Sequence, residues 1–273
     1  MSIQWPLVLF GLFAGCGGGL LAFTGLSIIL GFAEKCRKKM VITALVLLIV
    51  GGCCSVLHLG QPANIMAAAA NIFAFSAISV ELIMLGINVI VALVYLVVDR
   101  GSAGATQKVL AVCFVVAGVI LAFALGNGYV LEARPAWNTI ILPLGYLFGG
   151  LAMGGTVFAV LDYVFDREDK HGLDIVSKTT LVVLVLQTVA YVAYGVFAQV
   201  SADTLAWFIG ALLMGCVVPL VCIYFAKKNE ACLYGAAAGA VAGCVAFRAM
   251  MWIAGVAYFD AFAVASARLV LGV

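Results

Sequence analysis

Eight long apolar stretches separated by short polar connections leave this chain almost no choice of solvent. They run Pro6–Phe32, Val41–Leu57, Phe73–Val98, Val109–Leu125, Ile140–Phe165, Thr179–Val200, Leu205–Ala226 and Cys232–Phe259. About 20 apolar residues suffice for a helix to cross the hydrocarbon layer. With 66% hydrophobic and only 10% charged residues, the chain lacks the polar surface that a water-soluble domain of its length needs. Its mean hydropathy of +1.25 agrees. The expectation is an all-α integral membrane protein, residues 1–273 forming a single eight-helix bundle with no sizeable soluble domain. The start, Met1-Ser2-Ile3-Gln4-Trp5-Pro6, has no basic n-region of a cleavable signal peptide and reads as the beginning of the first span.

Charge gives the orientation. Lys35, Arg37, Lys38, Lys39, Arg100, Lys108, Arg167, Lys170, Lys178, Lys227 and Lys228 fall after the first, third, fifth and seventh spans, whereas the opposite side has only Arg134 and Arg268. Eleven cations against two predict that the odd-numbered connections are cytoplasmic and that both termini face outward across the inner membrane. Trp5, Trp137, Trp207 and Trp252 all fall towards outer ends, as an interfacial aromatic belt would require. The segment Asp166-Arg167-Glu168-Asp169-Lys170-His171 reads as a solvated loop.

Small residues at four-residue spacing, Gly11/Gly15/Gly19, Gly150/Gly154 and Gly235/Gly239/Gly243, predict close helix contacts, read as packing within the bundle with a subunit contact as the alternative. Nine cysteines occur without a Cys-x-x-Cys pair or a neighbouring histidine, so they are read as small core residues, with no iron–sulfur cluster or metal held by this chain.

Few groups remain that could move a proton. His58 closes the second span, and Glu81 follows 23 residues later, inside the third. Arg248 is the other charge well within a span. Unpaired charges at bilayer depth cost at least ~2.5–3.5 kcal/mol, so such residues mark either a function or a helix-locking ion pair. From the drawn boundaries, Glu81 is expected ~12 Å from the outer start of its span and Arg248 ~16 Å from the outer end of the eighth. Asn88 and Gln187 each read as an interhelical hydrogen bond more than as a site residue. Haem is excluded by arithmetic: the second histidine, His171, lies on the opposite side from His58, and two such imidazoles cannot ligate one haem. An electron carrier within the bundle would then be a small apolar redox molecule, with a quinone the obvious candidate.

The motifs His58-Leu59-Gly60-Gln61-Pro62, Ser76-Ala77-Ile78-Ser79-Val80-Glu81, Pro135-Ala136-Trp137, Pro143-Leu144-Gly145-Tyr146-Leu147 and Met153-Gly154-Gly155 resemble the membrane-anchor subunit of bacterial dimethyl sulfoxide reductases. The resemblance implies a haem-free, eight-helix anchor for an anaerobic respiratory complex. Such an anchor oxidises menaquinol and passes electrons to a four-cluster iron–sulfur subunit and onward to a molybdopterin catalytic subunit. It implies His58 and Glu81 as proton-accepting residues, and His58, Glu81, Arg248 and Pro62 as the quinol site. Arg248 would stabilise the developing quinolate or hold Glu81 ionised. The chain departs from the family pattern at Asn64, where a basic residue is common, and at Val80, where a polar one is. No nucleic-acid partner is expected.

Three rival readings stand beside this one. A polysulfide- or nitrite-reductase-type quinol anchor shares the chemistry but lacks the His-Leu-Gly-x-Pro element. A proton-coupled anion transporter would use Arg248 for the anion and Glu81 for the proton, but would show matching repeats with broken helices. A purely structural tether would oxidise no quinol at all.

Overall fold

Glycine spacing decides which helix stands at the centre. The computed structural model describes residues 3–58, 73, 76–98, 104–166, 170–226 and 228–255, apart from the side chains of His58 and Ala77. Within them, eight helical spans are long and apolar enough to cross a membrane, which makes this a multi-pass membrane protein. In order they are Trp5–Leu30, Arg37–His58, Ala77–Val98, Ala105–Asn127, Ile141–Phe165, Lys170–Phe197, a composite seventh, and Cys232–Ala254.

The first helix packs on the second, fourth and fifth, the third lies against the second and fourth, and the eighth joins the fifth to the seventh. A Cβ added at Gly19 would strike the Gly150 carbonyl, and one at Gly154 would strike the backbone of Gly19 and Leu20. Gly18 meets Gly118 of the fourth helix in the same way, a Cβ there lying 3.2 Å from the Gly118 carbonyl oxygen. Such seams let backbones approach and replace solvent-driven burial with close van der Waals contact in a lipid environment. The expected in-bundle role of the glycine rows is therefore met, including Gly239 and Gly243 against the seventh span.

The seventh span is composite: Ala202–Leu212, a π-turn at Leu213–Val217, and Val218–Phe225. Pro219 has no N–H to give the Gly215 carbonyl, four residues earlier. Gln187 supplies a donor instead, its Nε2 lying 3.0 Å from Gly215 O. Asn88 likewise ties the third helix to the fourth, donating from Nδ2 to Ala117 O at 3.0 Å. Both amides act as the sequence led us to expect.

Contacts between connections separate the two ends of the bundle. Lys35 pairs with Asp166 at 3.1 Å, and Lys39 lies 3.8 Å above the Phe165 ring, so the connections after the first and fifth helices share one end. At the other end Arg134 donates to Gly255 O, Trp137 Nε1 to Met251 O at 2.8 Å, and Tyr194 Oη to Ala136 O at 3.0 Å.

Several expected boundaries shift, each for a local reason. The sixth helix begins at Lys170 instead of Thr179, because Asp174 and Lys178 form an i,i+4 ion pair at 2.7 Å that lets a charged stretch stay helical. His171 is thus an exposed helical residue and not part of a loop. The third helix starts at Ala77, where the Ser76 hydroxyl accepts from the Ser79 N–H at 3.2 Å. The aromatic-belt reading fails for two of four tryptophans: Trp5 is 46% exposed, but Trp137 and Trp252 are each 3% exposed and stack edge-on at 5.1 Å inside the bundle.

Candidate functional site

The charge-poor end gathers the residues that could handle protons. His58 is the last residue of the second helix, at this end by the alternation of the spans, but its side chain lies outside the described residues, as does Pro62. Glu81 is in the second turn of the third helix, only ~6 Å from its start because the helix begins late. That is half the depth expected from the sequence.

Glu81 is half-buried. Its carboxylate sits directly on the backbone of Gly128, just beyond the fourth helix, where an added Cβ would collide with Oε1 and lie 3.0 Å from Cδ. Gly128 has φ −58° and ψ −21°, a conformation open to any residue. A side chain there would displace the Glu81 carboxylate, so the glycine bears on where the carboxylate sits and is not demanded by backbone geometry.

Beside it, Tyr129 packs between Tyr146, Trp137 and Trp252, with ring centroids 5.6, 5.6 and 5.7 Å away. Burial, reinforced by the neighbouring Tyr146 and Glu81, pushes the Tyr129 phenol well above the ordinary tyrosine range. It therefore remains a neutral hydroxyl at physiological pH, able to donate a hydrogen bond.

Tyr146 carries the arrangement inward. Its ring lies 4.4 Å from the guanidinium carbon of Arg248. Arg248 is fully buried, donating from Nη2 to Gly11 O at 3.1 Å and from Nη1 to Cys244 O at 3.2 Å. Gly11 leaves room for it, since a Cβ there would lie 3.2 Å from Nε. Carbonyl dipoles and an aromatic face offset part of the cost of burying this cation. Among the described residues Arg248 and Glu81 form no ion pair, so of the two roles open to Arg248 the one that holds Glu81 ionised through direct pairing is not met. The backbone of Arg248 is ~9 Å from the end of its helix at Ala254, against the ~16 Å that the sequence boundaries implied.

Sequence reasoning missed Gly128 and Tyr129 altogether. Asn127-Gly128-Tyr129 carries only a turn signal, and nothing in it announces a carboxylate arriving from another helix. It also passed over Asp162, 1% exposed near the opposite end of the fifth helix, and counted Arg37 only in the charge map, although it is 6% exposed and donates to Ser27 O and Phe32 O.

A family model described as DMSO reductase anchor subunit (DmsC) matches residues 1–204. The match takes in His58, Pro62, Glu81, Gly128, Tyr129 and Tyr146, and ends before the helix that carries Arg248. No curated protein matches the chain.

Proposed function

The chain belongs to the DMSO reductase anchor subunit (DmsC) family, and from that premise we propose that it oxidises menaquinol at the charge-poor end of the bundle. It hands the electrons to an iron–sulfur subunit, which feeds a molybdopterin catalytic subunit. The observation that carries the reading is the seat of Glu81: a half-buried carboxylate resting on Gly128, at the same end as the close of the second helix.

Quinol oxidation releases two protons and two electrons, so the site needs two acceptors for protons and an exit for electrons. His58, neutral, takes one hydroxyl proton as general base, and Glu81 takes the second or relays it outward. Tyr129 brings a neutral hydroxyl to the region of the carboxylate, and Pro62 is assigned to the quinol site by the family resemblance alone. Arg248 is too enclosed to touch a headgroup in this arrangement. It acts through Tyr146, placing a fixed positive charge beneath the aromatic floor and favouring negative charge above it. The lysine-rich end faces the cytoplasm by the positive-inside rule. Protons and electrons then leave on the same, outer side, and turnover moves no net charge across the membrane.

Substituting His58→Arg tests this. Arginine keeps a polar cation at the helix end, where it can reach the interface, so insertion and assembly are expected to survive. Its guanidinium stays protonated and cannot serve as a base. Quinol-linked turnover of the complex should fall on the order of a hundredfold or more, while activity with an artificial donor that bypasses the anchor is kept. Normal quinol turnover in the variant would make His58 a helix cap and refute its role as base. Glu81→Gln, which removes a titratable site with little change of shape, is expected to show the same selective loss.

A further inference from the structure

The sixth helix is longer than an upright crossing of the hydrocarbon layer requires. Its 28 residues span ~42 Å, against ~30 Å of hydrocarbon. The surplus lies at its charged start, Lys170 to Lys178, ahead of the apolar stretch that begins at Thr179. The neighbouring seventh span ends at Phe225. Between them, at the lysine-rich end of the bundle where the sixth helix passes from its charged start to its apolar stretch, lies a cavity of about 310 Å³. Its walls are sorted by polarity: Leu181, Ile223 and Phe225 supply apolar surface, while Ser177, Lys178 and Lys228 supply hydroxyl and ammonium donors.

We propose that this cavity binds one anionic glycerophospholipid, its phosphate between Lys178 and Lys228 and its acyl chains along Leu181, Ile223 and Phe225. Lys178 already pairs with Asp174 at 2.7 Å, which occupies one of its three donors and leaves two for the phosphate. Asp174 lines an adjoining cavity of about 270 Å³ with Lys170, Ser177 and Glu230. Its acids oppose anions deeper in that direction, so the favourable position is the lysine pair. A lipid whose headgroup adds no cation suits this charge pattern. Free phosphate would use the lysines alone and leave the apolar wall bare. The site lies at the end of the bundle opposite Glu81 and does not depend on the quinol reading.

The test is native mass spectrometry of the full-length chain in detergent, given equal amounts of dioleoyl-phosphatidylglycerol and dioleoyl-phosphatidylcholine. One phosphatidylglycerol is expected to be retained preferentially. The preference should fall about fivefold in Lys228→Gln and disappear in Lys178→Gln/Lys228→Gln, since each lysine near a membrane surface contributes roughly that factor. Where loss of the Asp174 pair prevents the double variant from folding, Lys228→Gln alone decides, because it leaves that pair intact. Equal retention of the two lipids, or an unchanged preference in Lys228→Gln, would overturn the proposal. So would thermal stabilisation by inorganic phosphate equal to that by phosphatidylglycerol, since that would identify a phosphate site without a lipid.

Discussion

The first and third helices look alike as strings of apolar residues and occupy opposite situations. The first is the less apolar of the two, yet 83% of its most apolar stretch is buried and only 22% of the third's is. In lipid, hydropathy does not send a segment inward, because the solvent is as apolar as the core. Backbone approach does, and the first helix owns it through Gly15, Gly18 and Gly19. The chemistry proposed here lies where the two regimes meet. Arg248 is anchored to Gly11 of the central helix, and Glu81 rides on the peripheral one.

The comparison breaks most violently at the central seam. Gly19→Val would drive a side chain into the Gly150 carbonyl, where the obstacle is backbone and cannot rotate away. Overpacking of this kind exceeds the ~1–3 kcal/mol usual for cores. The chain is expected to vanish from the membrane fraction, as measured by immunoblot, and artificial-donor activity at the membrane should go with it. Normal accumulation would mean that the first and fifth helices are not packed as described.

A subtler substitution acts where the third helix meets the fourth. Gly128→Ala asks the Glu81 carboxylate to move without touching its chemistry. Assembly and artificial-donor activity should persist. Quinol-linked turnover should drop between about ten- and a hundredfold, the scale attached to an ångström of misplacement. Full turnover in Gly128→Ala would detach Glu81's position from function, even if Glu81→Gln itself were inactive.

How much of this was legible in the chain depends on the distance over which each feature is decided. Eight spans follow from local hydropathy, and the glycine rows, Asn88 and Gln187 from residue type and spacing along one helix. Helix starts were less visible, because a Ser76 hydroxyl and an Asp174–Lys178 pair extend or begin helices outside the apolar pattern. The site was half legible. Glu81 and Arg248 stand out as charges in apolar surroundings, but whether they meet depends on helix rotation. Here the Tyr129 and Tyr146 rings lie in the region between them. Trp137 and Trp252 were placed at the correct end and given the wrong neighbours, since an amphipathic ring near an interface can face lipid or pack inward with equal ease.

The smallest expected effect gives the comparison its sharpest edge. Gly86 lies in the third helix, five residues after Glu81, and among the described residues nothing comes within 4 Å of where its Cβ would be. No positive φ demands glycine there, since Gly31 alone among the described glycines has one. Alanine at an unobstructed helical position removes backbone freedom from the unfolded chain and gains up to ~1 kcal/mol. Gly86→Ala should therefore leave accumulation and quinol turnover within about twofold of the parent and leave thermal stability equal or slightly raised. The same one-carbon addition that threatens the first helix would be tolerated by the third. If Gly86→Ala instead lowers assembly as Gly19→Val is expected to, the outer face of the third helix must be covered in the assembled complex, and the peripheral position assigned to it describes the isolated chain alone.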